Sequence, residues 1–529
     1  MSRSPAPKNA LYLGTVPERA AVTHGGTKLT LDHDLDLFPG AGRRLTTRQL
    51  AGFVDDAAAR LHAAGVRPGA RVAVHKSANF DIYILATAAA RLGAVPVTLS
   101  PALDPVSVAA LLERLERPFL LTDADTLDRL AVEAPGLATG GGDLVAGVIL
   151  ASGSRPGATA LADLTGSPSR PPVFRDPDEP ALITHTSGTT GLPKLVVHSA
   201  RSLYGRFHPQ RRLVSMIWKR ETVALHVSYV HSRMYLAMAV LLRRGWSLLV
   251  MNDSDPDRTA DLFSRTRPGF LETHPNSFME WEPLADDPRR PLANVKYFST
   301  TFDAIHPGTM HRLLQASDRR GPFFFQIYGQ SECGPLVGRG YSRKRAHKAD
   351  GRCLGYAMPG VTKFRLVPRD GKRPSRRNPG YIEVYTPGRA VTYWGEQERF
   401  DGQVHGRWWR GGDVGFRSRF GCLHLLDREV DVIPGVHSTL EVEDTVLARL
   451  PELTELVLVP GPDREPVPVV CTREDLPLNL ERWRAAVADF PQLAAPLHLP
   501  LAEVPRTATM KVRRLELAKS LRERSEQSA

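Results

Sequence analysis

One segment of the sequence constrains the fold of this chain more than any other, because it joins a strand to a loop of small and hydroxyl-bearing residues. The segment begins at Ala181 and runs into the string TSGTTGLPK, which ends at Lys194. Its two glycines let backbone N–H groups converge on an anion, its hydroxyls add donors, and Lys194 supplies a compact positive charge. The segment therefore predicts a loop that holds a polyphosphate. The residues predicted to bind it are Thr186, Ser187, Gly188, Thr189, Thr190, Gly191 and Lys194.

Strands and helices alternate on both sides of this loop. Residues 71–74 predict a buried strand, 80–92 an alanine-rich helix and 94–97 the next strand, which together form a βαβ unit. Further core strands are predicted at 246–250, 295–298 and 323–327. The loop lacks the Gly-Lys-Ser/Thr spacing of a Walker loop, which disfavours kinase-like and GTPase-like folds. The pattern therefore predicts a layered α/β protein.

The chain is long enough for several folding units. Its 529 residues are 42% apolar and 24% charged, which is an ordinary globular composition. After Asp427 the sequence changes to a compact mixture that ends in a predicted helix at 512–524. We therefore predict a large α/β body of several subdomains at residues 1–428 and a small α+β domain at 429–529.

Composition argues against several classes of function. Lys and Arg total 69 against 57 Asp and Glu, a formal net charge of +12, but the basic residues are scattered and no nucleic-acid-binding motif accompanies them. The longest apolar stretch, 82–99, is interrupted by Arg91 and Pro96, so we expect no membrane span. No secretory signal is visible, which predicts a cytoplasmic protein. The four cysteines show no CxxC or metal-ligand spacing, which predicts reduced packing residues.

Four further motifs follow the loop along the chain. They are IYGQSE at 327–332, WWRGGDVG at 408–415, LDRE at 426–429 and PRTATMK at 505–511. Together with the loop, they resemble the signatures of the adenylate-forming superfamily, which includes acyl-CoA synthetases, luciferases and peptide-synthetase adenylation domains. The resemblance extends over nearly the whole chain and implies that the protein uses ATP and Mg²⁺.

The motif at 327–332 resembles the aromatic-Gly-x-Thr-Glu element of this superfamily, with a serine in place of the threonine. The resemblance implies that the ring of Tyr328 stacks on adenine and that the hydroxyl of Ser331 bonds the α-phosphate. It also implies that the carboxylate of Glu332 acts in catalysis as a ligand of Mg²⁺. Each residue type suits its role, because carboxylate oxygens are preferred magnesium ligands and aromatic faces stack on bases.

The other motifs supply the remaining implied site residues. Asp413 matches the aspartate that accepts both ribose hydroxyls, and Arg428 matches an arginine that contacts the nucleotide near the interdomain hinge. Lys511 matches the catalytic lysine that reaches the reacting carboxylate and the α-phosphate. His231 best matches the histidine that often borders the acyl pocket. For this histidine, a catalytic role and a role as a core or gate residue are equal alternatives.

The resemblance implies an ATP-dependent ligase that converts a carboxylic acid, expected to be aromatic, into an acyl-adenylate. Val430 and Met510 depart from the thiol-transferring members, which carry Asp or Lys at the hinge and glycine before the catalytic lysine. Residues 11–20 resemble the start of the aminocoumarin-antibiotic amide synthetases, which join a substituted benzoate to an aminocoumarin. We therefore favour transfer of the acyl group to an amine, which forms an amide in the biosynthesis of an antibiotic.

Other functions are also compatible with parts of this pattern. An aryl- or acyl-CoA ligase would share the first step and use CoA as the acceptor. A non-catalytic nucleotide sensor is disfavoured by the intact Lys194, Glu332, Asp413 and Lys511. Minor variants of the family activate other oxyanions, nitrite among them. The expected partners are a small-molecule carboxylic acid and an amine or CoA acceptor, and the sequence leaves the oligomeric state undetermined.

Overall fold

The structure, a computed structural model, describes residues 8–186, 192–301, 305–461, 465–506 and 512–528. Within these residues the helices are α1 (Val16–His24), α2 (Thr47–Ala63), α3 (Asp81–Arg91), α4 (Pro105–Arg114), α5 (Ala124–Glu133), α6 (Ala200–Ser215), α7 (Ser232–Arg244), α8 (Pro256–Thr266), α9 (Pro275–Glu280), α10 (Pro307–Gln315), α11 (Arg343–Ala346), α12 (Gln397–Asp401), α13 (Thr439–Arg449), α14 (Leu480–Ala486) and α15 (Arg514–Ser528).

The strands of the same residues are β1 (Lys28–Leu31), β2 (Arg44–Thr46), β3 (Arg71–Val74), β4 (Val95–Thr98), β5 (Phe119–Thr122), β6 (Gly147–Leu150), β7 (Thr159–Ala160), β8 (Pro180–His185), β9 (Leu195–Ser199), β10 (Val223–His226), β11 (Leu248–Val250), β12 (Phe270–Thr273), β13 (Tyr297–Thr300), β14 (Phe323–Gln330), β15 (Gly334–Ser342), β16 (Cys353–Ala357), β17 (Lys363–Val367), β18 (Gly380–Tyr385), β19 (Thr392–Tyr393), β20 (Val404–His405), β21 (Trp408–Arg417), β22 (Leu423–Arg428), β23 (Leu453–Pro460), β24 (Pro466–Thr472) and β25 (Leu497–His498).

The described strands form three sheets. The largest runs in the order β17-β18-β21-β22-β16-β15-β14-β13-β12-β10-β11-β1-β2, with β20 paired to β21, and its segment from β14 to β1 is parallel. An eight-stranded sheet has the order β19-β9-β8-β4-β3-β5-β6-β7. A small third sheet contains β23, β24 and β25. The predicted α/β class, with a large N-terminal body and a small C-terminal unit, is confirmed.

A single apolar core joins the two large sheets. Val74 of β3 and Leu225 of β10 belong to it, as do Leu50 of α2, Leu85 of α3 and Leu236 of α7. These five side chains are at most 1% exposed. Because both sheets bury apolar faces in one core, the ends of their strands are held in fixed positions relative to each other.

Of the seven elements predicted from the sequence, five lie within two residues of the observed helix or strand at both ends. The strand predicted at 71–74 is β3, and the helix predicted at 80–92 is α3. The strand predicted at 246–250 begins only at Leu248, because Gly245 ends α7 with a φ of 64° and the next residues lead the chain back to the sheet. Left-handed glycine is a common helix terminator, so this shift has a local cause.

The predicted boundary after residue 428 coincides with the end of β22 in the largest sheet. The division of the chain into two domains at this residue stays a prediction. Across it, Ser438 Oγ donates a hydrogen bond of 2.7 Å to the carbonyl of Leu426, and the backbone N–H of Thr439 donates to Asp427 Oδ2 at 3.1 Å. These contacts attach the start of α13 to the last strand of the N-terminal body.

Of the helices described, each is too short or too polar to cross a membrane.

The expectation that all four cysteines are reduced is wrong. Cys353 and Cys422 form a disulfide, whereas Cys333 and Cys471 are free and buried. The cause is the pairing of β16 with β22, which brings Cys353, the first residue of β16, next to Cys422, the residue just before β22, although the two are 69 positions apart. Spacing along the chain carries no signal for such a contact.

Candidate active site

A cavity of about 730 Å³ opens where β13 and β14 end and α7 begins. Crevices at the carboxyl ends of parallel strands are the usual binding sites of α/β proteins. Six of the predicted site residues line this cavity: Thr186, Lys194, His231, Ser331, Glu332 and Arg428. The fold therefore brings together residues that lie up to 242 positions apart in the sequence, from 186 to 428.

The predicted phosphate loop connects β8 to β9, which are antiparallel neighbours. Thr186 and Lys194 close the hairpin: the N–H of Thr186 donates to the carbonyl of Lys194 at 3.0 Å, and the N–H of Lys194 donates to Thr186 Oγ1 at 3.2 Å. The Thr186 hydroxyl therefore helps to hold the loop closed. The other predicted phosphate ligands, Ser187, Gly188, Thr189, Thr190 and Gly191, lie outside the described residues.

Glu332 lies between β14 and β15 and is 8% exposed. Its Oε1 accepts a hydrogen bond of 2.6 Å from the hydroxyl of Tyr393, whereas its Oε2 has no hydrogen-bond partner in the part of the chain described. Lys194 Nζ lies 3.4 Å from the same hydroxyl and 4.9 Å from the centre of the Tyr393 ring. In this buried carboxylate, one oxygen accepts a hydrogen bond and the other is available to ligate a hard cation such as Mg²⁺.

Burial shifts the pKa values of both neighbours of Glu332. Desolvation lowers the pKa of Lys194 below its ordinary value, although the charge of Glu332 opposes this shift. Desolvation and the Glu332 carboxylate raise the pKa of Tyr393 well above its usual range, so its hydroxyl stays protonated and donates. Sequence reasoning missed Tyr393, because a lone tyrosine outside the motifs gives no sign that it reaches Glu332.

Asp413, on β21, is 4% exposed and faces β14. Its Oδ2 accepts hydrogen bonds from the Tyr328 hydroxyl and from Gln330 Nε2, the latter at 2.8 Å. Trp409 Nε1 donates to Gln330 Oε1 at 3.0 Å and so fixes the orientation of the amide. Burial and the nearby carboxylate raise the pKa of Tyr328 well above its usual range. The hydroxyl of Tyr328, whose ring was predicted to stack on adenine, thus orients the predicted ribose ligand.

Arg428, the last residue of β22, lies beside Asp413. Its Nε lies 3.8 Å from Asp413 Oδ1, and its side chain is 43% exposed. Ser331 lines the cavity beside Glu332, and the backbone carbonyls of both accept hydrogen bonds from Arg206 Nη2, at 3.1 and 2.7 Å. Lys511, the predicted catalytic lysine, lies outside the described residues.

His231 precedes α7 and caps it. Its Nδ1 accepts a hydrogen bond of 3.1 Å from the backbone N–H of Arg233, so in the neutral ring the proton is on Nε2. The ring borders the cavity. This position fits a residue that shapes the pocket, and the catalytic role stays a prediction.

Arg233 is a second residue that sequence reasoning missed. It lines the cavity from the first turn of α7, and its guanidinium pairs with Glu272 on β12. The only sequence signal is an arginine in the first turn of a helix, two positions after His231 and followed by nine apolar residues. Its partner is 39 positions further along the chain, where no motif marks it.

Comparison with known families identifies the class of protein. The model of the AMP-binding enzyme family matches residues 16–394. The chain therefore belongs to this family and is an adenylate-forming enzyme.

Two relatives and one solved structure are similar to the chain over most of its length. The chain is 47% identical over 530 residues to the 3-amino-2-hydroxy-4-methoxybenzoate diazotase of Streptomyces cremeus. The alignment covers 97% of this chain and 96% of the relative. It is 26% identical to a 3-aminoavenalumate diazotase of a Streptomyces species, over 78% of this chain and 74% of that one. The solved structure of the amide bond synthetase McbA from Marinactinospora thermotolerans superposes with a TM-score of 0.75 at 20% identity, covering 96% of this chain and 99% of that chain.

Proposed function

We propose that this protein is an ATP-dependent diazotase, which activates nitrite and transfers its nitrogen to an aromatic amine that carries a carboxylate. The observation that carries the proposal is the 47% identity, over nearly the full length of both chains, to an aminobenzoate diazotase. Diazotisation joins a second nitrogen, at the oxidation level of nitrite, to an amine. Adenylation of an oxyanion is the chemistry of this family, so nitrite takes the place of the carboxylic acid.

The proposed reaction has two steps. First, a nitrite oxygen attacks the α-phosphorus of ATP and pyrophosphate leaves, which gives a mixed anhydride of nitrous acid and AMP. Next, the arylamine nitrogen attacks the nitroso nitrogen, AMP leaves and the amine loses a proton. The N-nitrosamine then tautomerises to a diazohydroxide, and protonation of its hydroxyl expels water to leave the diazonium. The carboxylate of the arene is not consumed.

The described residues have distinct parts in this scheme. Glu332, with its available Oε2, holds Mg²⁺, which supplies charge stabilisation at the phosphates when it is bound. Lys194 offsets phosphate charge, and Ser331 bonds the α-phosphate. Asp413, oriented by Tyr328, accepts the ribose hydroxyls, and Arg428 lies beside it. In the same proposal, residues 187–191 bind phosphate and Lys511 stabilises the charge that builds on the α-phosphate.

The reactions favoured on sequence grounds compete with this proposal. Transfer to an amine is common to the diazotase and the amide synthetase, because in both an amine nitrogen attacks the adenylate. They differ in the oxyanion: the amide synthetase and the CoA ligase activate the carboxylate itself. The likeness to McbA is a likeness of fold at 20% identity and does not favour one chemistry.

Exchange of labelled pyrophosphate into ATP distinguishes these reactions. Purified protein with ATP, labelled pyrophosphate and Mg²⁺ is given nitrite alone, 3-aminobenzoate alone, or both, with a parallel series that also contains CoA, and azo-dye coupling detects the diazonium. We expect exchange with nitrite alone, and dye only when nitrite, ATP and the aminobenzoate are all present. Dye formed with ¹⁵N-nitrite should carry one labelled nitrogen. Exchange that needs the aminobenzoate but not nitrite, followed by an amide or a CoA thioester, would overturn the proposal.

A further inference from the structure

A guanidinium held on two sides lies in the wall of the cavity, away from the predicted nucleotide ligands. Arg233 donates from Nε and Nη2 to the two carboxylate oxygens of Glu272, the second bond measuring 2.6 Å. Its Nη1 donates to Gln210 Oε1. The Glu272 side chain is 2% exposed, whereas that of Arg233 is 18% exposed and faces the cavity. The position of this guanidinium is therefore fixed before any ligand arrives.

Two N–H groups of Arg233 are not used by Glu272 or Gln210. Arginine has five N–H groups, one on Nε and two on each terminal nitrogen. Glu272 and Gln210 take three of them, so within the described part of the chain one N–H on Nη1 and one on Nη2 lack a partner. Two N–H groups on the two terminal nitrogens form a fork that matches the two oxygens of a carboxylate.

We propose that Arg233 binds the carboxylate of the aromatic substrate and that Glu272 and Gln210 position it. This inference rests on the proposed function, in which the arene keeps its carboxylate and reacts at its amine. A carboxylate that enters a partly buried cavity needs a cation there, because desolvation of an unpaired charge is costly. The charge of Arg233 suits this role, because Glu272 raises its pKa against the effect of burial and keeps it cationic.

Helix α6 connects Arg233 to the phosphate end of the cavity through two of its side chains. Gln210 and Arg206 are four residues apart on α6, about 6 Å along the helix axis, and Gln210 Nε2 donates to the carbonyl of Arg206 at 2.9 Å. Gln210 contacts Arg233, whereas Arg206 bonds the backbone of Glu332. Arg233 and Glu332 line the same cavity, so a ring with its carboxylate on Arg233 occupies the space that Glu332 also borders, where an amine on the ring can meet the activated nitrite.

The sheet provides a surface for the ring. Glu272, Ser299, Phe325 and Gly340 are successive register partners across β12, β13, β14 and β15, so they share one face. Phe325 and Gly340 both line the cavity. The phenyl group of Phe325 supplies an apolar wall, and the absence of a side chain at Gly340 makes room for the ring of Phe323, which packs against Phe325. The face therefore offers an apolar slot that ends at a fixed cation.

Calorimetric binding tests the inference without nitrite or turnover. The full-length protein is titrated with 3-aminobenzoate and with the neutral analogue 3-aminobenzamide. The variants are Arg233→Lys, which keeps a charge beside Glu272 but loses the fork, and Arg233→Met with Glu272→Gln, which removes both charges. Arg243→Ala is the control, because this arginine is exposed on the same helix.

We expect the unaltered protein and Arg243→Ala to bind the carboxylate about tenfold or more tightly than the amide, the scale of a lost charged hydrogen bond. Either folded Arg233 variant should lose this preference while its affinity for the amide stays within about threefold of the unaltered protein. Equal affinity of the unaltered protein for the two ligands, or a preserved preference in a folded variant, would overturn the inference. Because no nitrite is present, these results are independent of whether pyrophosphate exchange supports the diazotase.

Discussion

The hydroxyl of Tyr393 donates a hydrogen bond of 2.6 Å to Glu332 Oε1, although the two residues lie 61 positions apart. Tyr393 belongs to the eight-stranded sheet, whereas Glu332 lies between β14 and β15 of the largest sheet. The bond therefore spans the two halves of the N-terminal body at the point where the proposed magnesium ligand lies. It directs one carboxylate oxygen to the tyrosine and leaves the other for the cation.

Removal of this hydroxyl should weaken adenylation without destroying the site. In Tyr393→Phe, Glu332 loses a donor and the orientation that it imposes, so we expect the rate of pyrophosphate exchange to fall about tenfold, the effect of about 1.4 kcal/mol. Half-maximal exchange should also need more Mg²⁺. Tyr385→Phe, on β18 and outside the cavity lining, is the control. An unchanged magnesium dependence in Tyr393→Phe would show that the bond has no part in cation binding.

Secondary-structure elements and motif residues could be predicted from the sequence, whereas the contacts that orient the site residues could not. The strand at 71–74 and the helix at 80–92 were found because apolar periodicity is a local property of the chain. Lys194 and Glu332 were found because their motifs are contiguous strings. The contacts that orient them were not, because Tyr393 reaches Glu332 only through packing of two sheets. Arg233 and Glu272 are likewise joined by the position of α7 over β12, which no local pattern encodes.

Lys194 should set the basic limb of the pH dependence. Burial lowers its pKa, so as pH rises it loses its charge sooner than an exposed lysine does, and with the charge it loses its attraction for phosphate. We expect kcat/KM for ATP to decrease as the pH rises, with a midpoint lower than the ordinary lysine pKa of about 10.4. Lys194→Arg keeps its charge throughout this range and should lack that limb, even if its maximal rate is lower. Lys372→Arg, at an exposed site, is the control. A limb that persists in Lys194→Arg would assign it to another group.

Asp427 should make the protein less stable at neutral pH than at acid pH. Burial raises its pKa from 3.8 to about 6, although Thr439 and Leu440 donate hydrogen bonds to it. The folded state thus binds the proton more tightly than the unfolded state. The resulting stabilisation is fully present below about pH 3.8 and is lost as the pH rises through about 6, a change of about 3 kcal/mol.

The variant Asp427→Asn isolates this effect. It keeps an oxygen that can accept from Thr439 and carries no charge, so its melting temperature should exceed that of the unaltered protein at pH 8 and approach it near pH 4. Asp143→Asn, on an exposed loop, should leave the difference between the two pH values unchanged. If Asp427→Asn is destabilised equally at both pH values, its hydrogen bonds rather than its charge dominate.

The Cys353–Cys422 disulfide should appear in a simple thiol count. Under denaturing conditions without reductant, two thiols should react, those of Cys333 and Cys471, and four should react after reduction. The bridge closes a loop of 69 residues, for which chain entropy gives about 4 kcal/mol of stabilisation. Reduction should therefore lower the melting temperature of the unaltered protein. The double variant Cys353→Ser with Cys422→Ser should melt at the lower temperature and be insensitive to reductant. Four reactive thiols without reductant, in protein purified under air, would show that the bridge does not form in solution and would restore all four cysteines to a packing role.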